Sequence, residues 1–230
     1  MQVADLARRR GHLQLAMRAT GEQGIAAFIL GDTDVAEKDV LEAWTSAKML
    51  HDPAASVRYA SVYGDGLVEL RRYKESLTPL NEAIRIAKDH PEVAYPSIAI
   101  NSKIDALRGL RRYDEAFALS ADALAHLQNA SLKGHEFQIL MTPAEIYEDL
   151  NQWSRAFSDC NSSLADARIL SLWRGITEAG GLLALAYEHQ GHLAEPLRAI
   201  NQAIDANTHI PDELYFVPRN LANAASTSSN

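Results

Sequence analysis

Five segments of the chain carry one spaced pattern at a constant 40-residue step, and no other property of the sequence limits the possible folds so sharply. The middle copy reads Tyr113, Ala116, Ser120, Ala123 and Leu124. Forty residues earlier the same places hold Tyr73, Ser76, Leu80, Ala83 and Ile84; forty later they hold Trp153, Ala156, Cys160, Ser163 and Leu164. The outer copies are Thr33, Ala36, Val40, Ala43, Trp44 and Leu193, Pro196, Ile200, Ala203, Ile204. Intervals of three and four are helical, and small residues at that interval let a second helix approach to ~8–10 Å. A helical hairpin of this size cannot bury its apolar face alone, so a fixed period predicts a stacked array with one continuous core.

The reading is therefore all-α: a right-handed solenoid of helix-turn-helix repeats forming a single repeat domain over residues 1–230. Residues 2–11 are expected to be an N-terminal cap, 12–213 five 40-residue hairpins, and 214–230 a C-terminal cap or linker. The first hairpin is expected to run from His12 to Leu30, turn at Gly31-Asp32, and continue to about Leu50 with Asp34 as N-cap. The second starts near Ser56, turns at Leu70-Arg71-Arg72, runs on from Lys74, and stops at His90-Pro91. The third places Pro96 at the first turn of a helix reaching Leu110, then a partner helix from Asp114 to about Leu127. In the fourth, Pro143 falls inside the first helix, which either kinks there or starts late with Thr142 as N-cap. The fifth turns at Gln190-Gly191-His192. Leu30, Leu70, Leu110 and Leu150 stand before successive turns and are expected to close the hairpins. A weak sixth copy after Asn207 suggests an excerpt of a longer protein.

This frame resembles the tetratricopeptide repeat. Gly24, Gly64, Ala144 and Ala184 match the small residue of that family's first helix, and Leu67, Tyr147 and Tyr187 match the large one three places on, while Ile104 departs from the pattern. The resemblance spans about residues 12–213. Family units are commonly 34 residues, so the extra length must go into the helices or the inter-repeat loop. Arrays with 40-residue units are similar to those in bacterial regulators beside a histidine kinase, a nucleotide cyclase or a DNA-binding module.

Composition removes several functions. The chain has 47% hydrophobic residues but no 18-residue apolar run, so no membrane span is expected. The N-terminal stretch has basic residues without a continuous apolar core, which disfavours a secretory signal and leaves a cytoplasmic location as the default. A net charge of -8 opposes binding to a phosphate backbone, so nucleic acid is not an expected partner. The lone cysteine, Cys160, falls at a core position and reads as an inert thiol. No Gly-rich phosphate loop, nucleophile elbow or HExxH motif is present, so neither a cofactor nor catalysis is expected. His189 and His192 near Glu188 are too few ligands for a metal. Tyr59, Tyr63, Tyr147 and Tyr187 read as packing residues, and Arg8, Arg9 and Arg10 as solvated charges at a helix end.

What the resemblance does imply is a binding surface. In the family the first helices line a concave groove, and the corresponding positions here are Arg58, Asp65, Val68 and Glu69; Asn101, Asp105 and Arg108; Glu145, Glu148 and Asp149; and Glu178, Leu185 and Glu188. Their balance is acidic. The Lys, Asn and Arg clamp with which one branch of the family holds a terminal carboxylate is not reproduced. The expected function is a non-enzymatic scaffold that takes a protein or peptide, basic or amphipathic, in that groove. The alternative is a sensory or regulatory segment of a larger signalling protein. Oligomeric state is left open.

Overall fold

A computed structural model describes residues 2–129, 133–169 and 173–189, with 198–199, 201–202 and 204–205. Among the described residues are ten α-helices and no strand: α1 (Gln2–Arg9), α2 (Leu13–Ile29), α3 (Thr33–Met49), α4 (Pro53–Glu69), α5 (Tyr73–Asp89), α6 (Ser97–Gly109), α7 (Tyr113–Asn129), α8 (Lys133–Asp149), α9 (Trp153–Ile169) and α10 (Trp173–His189). The chain divides into two compact units, Met1–Arg112 and Tyr113–Asn230. Within the first, α2 packs on α3 and α4 on α5, with α6 against both α4 and α5; within the second, α8 and α10 flank α9.

The 40-residue repeat of the sequence is two 20-residue steps. Eight helices are 17 residues long and begin at residues 13, 33, 53, 73, 113, 133, 153 and 173. The extra length over a 34-residue unit therefore lies in the helices, and only three residues separate one from the next. Such short links are possible because the middle residue turns left-handed: Gly11 (φ 76°), Gly31 (79°), His51 (51°), Arg71 (58°), Arg111 (57°) and Asn151 (56°). A pair of backbone bonds then closes each helix. Gly31 N–H donates to Phe28 O (3.1 Å) and Asp32 N–H to Ala27 O (2.9 Å), and Arg71 to Val68 O and Arg72 to Leu67 O repeat this at 2.8 Å. The third link residue starts the next helix. Asp32 and Asp52 accept from the backbone N–H of Val35 (3.3 Å) and Ala55 (2.9 Å). A residue with a Cβ in the left-handed region gives up about 1–2 kcal/mol that glycine does not.

One link breaks the rule for a physical reason. The 20-residue step would put the left-handed residue at Pro91, whose ring locks φ near -65°. The link instead occupies residues 90–96, Val93 packs back onto the core, and α6 starts at Ser97.

The small residues stand where helices come closest. In the first unit Ala43 and Ala83 have no exposed surface. A Cβ on Gly24 would lie 2.8 Å from Val40 Cγ2 and 2.9 Å from the Val40 backbone nitrogen, and one on Gly64 would lie 2.5 Å from both Leu80 Cδ2 and Cγ. Further along the same frame, the second unit has Ala144 and Cys160 together in its own core. Tyr73, Tyr113 and Trp153 each open a second helix, in matching places as the period predicts. The Tyr73 ring covers Gly109 in the first unit. In the second, Trp153 stacks on His189, again 36 positions on, at 3.9 Å and 7°.

Several sequence expectations are corrected. Asp32, not Asp34, caps α3, because the left-handed Gly31 brings the cap forward. The second hairpin opens at Pro53, where Asp52 caps and proline needs no helical donor. Pro96 is the N-cap of α6, one place earlier than expected. α8 neither starts late nor uses Thr142 as a cap: it runs from Lys133 with Pro143 inside it. Leu30, Leu70 and Leu150 do not close the hairpins, being 83%, 41% and 39% exposed. Leu30 and Leu70 are helix C-caps at the hairpin tips, and Leu150 holds the matching place before Asn151. The turn expected at 190–192 lies outside the described residues, as does residue 214 onward.

Candidate partner-binding face

In the first unit the proposed surface residues lie on α4 and α6, and polar contacts tie each first helix to the next. Arg58 donates to both carboxylate oxygens of Glu22 on α2, at 2.8 and 2.9 Å, with both side chains about half exposed. Asp65 accepts from Ser102 Oγ on α6 at 2.6 Å. Glu22 and Ser102 were not among the sequence candidates, because a single helix pattern gives no sign of which residue lies opposite on its neighbour. Val68 is half-buried and leans on the core, while Glu69 is exposed. On α6, Asn101, Asp105 and Arg108 are half-buried, and Asn101 Oδ1 is buried without a hydrogen-bond partner.

The second unit carries the rest on α8 and α10. Glu145, Glu148 and Glu178 are half-buried, and Asp149 and Glu188 are exposed. Leu185 is not surface: it is 7% exposed and packs with Ala184, Ala199 and Trp153, so it belongs to the core. Aromatic pairs repeat at the 40-residue step between second and first helices, Phe117 with Tyr147 (centroids 5.0 Å) and Phe157 with Tyr187 (4.9 Å). Arg155 lies over the Tyr147 ring at 5.5 Å, a cation–π contact.

Reactive groups are withdrawn from solvent. Cys160 is fully buried, and burial first, then the carboxylates Asp159, Glu145 and Glu148, push its thiol far up. That environment suppresses the thiolate, the form in which cysteine attacks or binds metal. Among the described residues no three His, Cys, Asp or Glu side chains are grouped to hold a metal ion. His189 is engaged with the Trp153 ring, and His192 lies outside the described residues. Tyr59 is 1% exposed, below Gly21, and burial raises its phenol above the ordinary value. The half-buried Tyr63 donates to Glu37 Oε1 at 3.3 Å. Of the N-terminal arginines, Arg8 is paired with Asp5 (3.1 Å), Thr20 (2.9 Å) and Glu42, which ties α1 to α2 and α3. No described helix is long and apolar enough to cross a membrane.

Solved structures place this arrangement among known folds. BtubC (BKLC) from P. vanneervenii superposes with a TM-score of 0.73 over 90% of this chain and 87% of its own, at 16% identity. The apo form of RapI gives 0.71 over 94% and 84%, at 14% identity. A Podospora anserina putative kinesin light chain, described as having nearly identical TPR-like repeats, gives 0.63 over 86% and 96%, at 15% identity. The fold is TPR-like. At such identities the likeness is one of fold, and the TPR-like α-solenoid is what these proteins share with this chain. No family model and no curated protein matches the sequence.

Proposed function

We propose that this TPR-like protein is a non-enzymatic interaction scaffold that holds a peptide or helix of a protein partner against its first helices. Charge distribution is the observation that most supports this reading and gives it a sign. Residues 1–112 hold 16 Lys+Arg and 15 Asp+Glu, a net +1, whereas residues 113–230 hold 6 and 15, a net -9. The acidic positions on α8 and α10 belong to this second unit, so a basic or basic-amphipathic segment is the complementary ligand there. In the first unit Arg58 is already paired and Asp65 already accepts a hydrogen bond, so Val68 contributes apolar contact there. Exposed ion pairs are individually worth about 0–1 kcal/mol, so the carboxylates set selectivity and on-rate more than affinity.

The test is a pull-down with the intact chain, followed by titration of the recovered partner into the double variant Glu145→Lys/Glu148→Lys. Weaker binding and a flatter salt dependence, with an unchanged helical CD spectrum, are expected. A partner indifferent to both the reversal and salt would sink the acidic-face reading.

A further inference from the structure

The first unit carries a second charged surface, of opposite sign. Arg71 and Arg111 occupy the same place in consecutive repeats, the middle of a hairpin link, and both are exposed. The first repeat has Gly31 there, with nothing within 4 Å of where its Cβ would be. The position thus imposes no packing need for a side chain, and its φ favours glycine, yet two successive repeats hold arginine at φ 58° and 57°. A residue kept against its backbone preference points to a use for the side chain.

Among the described residues no salt bridge engages Arg71 or Arg111. Glu37 and Glu75, the carboxylates at the second hairpin tip, are both taken by the neighbouring Arg72. It donates from Nη1 to the two Glu37 oxygens (2.9 and 2.8 Å) and from Nε and Nη2 to Glu75 (3.0 and 2.7 Å). Glu69, exposed two residues before Arg71, has an interaction of its own. Lys74, exposed three residues after Arg71, adds a third cation to the same tip. A charge near a helix C-terminus is favoured by the dipole, but a cation one turn earlier would provide that without a left-handed backbone.

We propose that the hairpin tips of the first unit form a cationic edge, Arg71, Lys74 and Arg111, that docks an acidic segment of a protein partner. Equivalent places in stacked hairpins lie about one helix-packing distance apart, ~8–10 Å. In an extended acidic strand the carboxylates on one face recur every second residue, about 6–7 Å apart, and the long glutamate and arginine side chains span the remaining difference. Guanidinium forks pair with carboxylates through two hydrogen bonds, which gives the edge a preference for Glu and Asp over other anions.

The intact chain, in the parent form and as Arg71→Gly/Arg111→Gly, would be titrated into a fluorescein-labelled polyglutamate peptide long enough to span two repeats, about 10 residues. Binding weakens roughly fivefold or more in the double variant while its Tm rises by a few degrees, because the same change removes charge and relieves the backbone. Arg71→Lys/Arg111→Lys keeps most of the binding and none of the gain in Tm. Glu145→Lys/Glu148→Lys leaves polyglutamate binding in place, which separates this edge from the acidic face of the second unit. Equal affinity of parent and glycine variant, or no binding by the parent at low salt, would overturn the proposal. So would a low-salt dimer of the parent, abolished in the glycine variant by sedimentation velocity, which would assign the edge to a second copy of this chain.

Discussion

Substituting alanine for glycine inside a helix ordinarily stabilises it by about 0.8–1 kcal/mol. Gly24 and Gly64 sit in the interiors of α2 and α4, so propensity alone gives Gly24→Ala and Gly64→Ala higher stability. Packing gives the opposite sign. A Cβ added at Gly64 would enter the Leu80 side chain at 2.5 Å, and overpacking typically costs ~1–3 kcal/mol. Net destabilisation of about 0–2 kcal/mol follows for Gly64→Ala, at the low end if the Leu80 side chain rotates away. Gly24→Ala is worse, because one obstacle is the backbone nitrogen of Val40 at 2.9 Å and no rotamer moves it. The partners then distinguish the two sites. Leu80→Cys, which copies the Ala144 and Cys160 arrangement of the second unit, should recover Gly64→Ala with a coupling of at least ~1 kcal/mol. Val40→Ala should leave most of the loss in Gly24→Ala. Urea unfolding followed by CD measures this, comparing midpoints because stacked repeats need not unfold in two states. A higher midpoint for Gly64→Ala, or strict additivity with Leu80→Cys, refutes the close contact.

Ala83→Leu adds three carbons at a position with no exposed surface and should lower stability by ~1–3 kcal/mol, read from thermal melts against the parent. Cys160 should resist a thiol reagent at pH ~8 in the native protein and react stoichiometrically once unfolded; rapid native labelling contradicts its burial. Arg72 holds the Glu75 carboxyl below its ordinary value, so the folded pKa is depressed and the associated stability exists above the unfolded pKa, near ~4.3. Melts of the parent and Arg72→Gln should therefore differ at neutral pH and converge as the pH falls through the glutamate range; a gap that persists in acid assigns the effect to packing.

The 40-residue period was legible because its carriers, Ala83, Ala116, Ala123 and Ala156 among them, must be small wherever helices touch. The 20-residue step inside it was not, since first and second helices bury different residue types and share only their length and link. Left-handed Gly31 is readable from sequence, and Asn151 is compatible with it because asparagine visits that region readily; Arg71 and Arg111 are not readable, because nothing in an arginine announces a positive φ. The small partner at Gly64 suggested a close contact, but that Leu80 fills it is a fact of three dimensions. The surface positions on α4, α6, α8 and α10 came from the family resemblance. Leu185 shows the limit of that transfer, for it is buried with Ala184, Ala199 and Trp153 instead of facing outward. The Glu22 and Ser102 contacts were invisible for a related reason: residues 36 and 37 apart meet only once two helices are aligned.

The seven residues between α5 and α6 are the one described place where the chain has slack. Elsewhere each described three-residue link is closed by backbone bonds at fixed places, so a single added residue breaks that pattern and displaces the following helix. Residues 90–96 can take up such an error before α6 begins, since Pro91, Glu92 and Ala94 are exposed and only part of the segment is anchored. A loop, an affinity tag or a fluorescent domain spliced there should leave the hairpins before and after it in register, whereas the same splice at 30–32 or 70–72 should not.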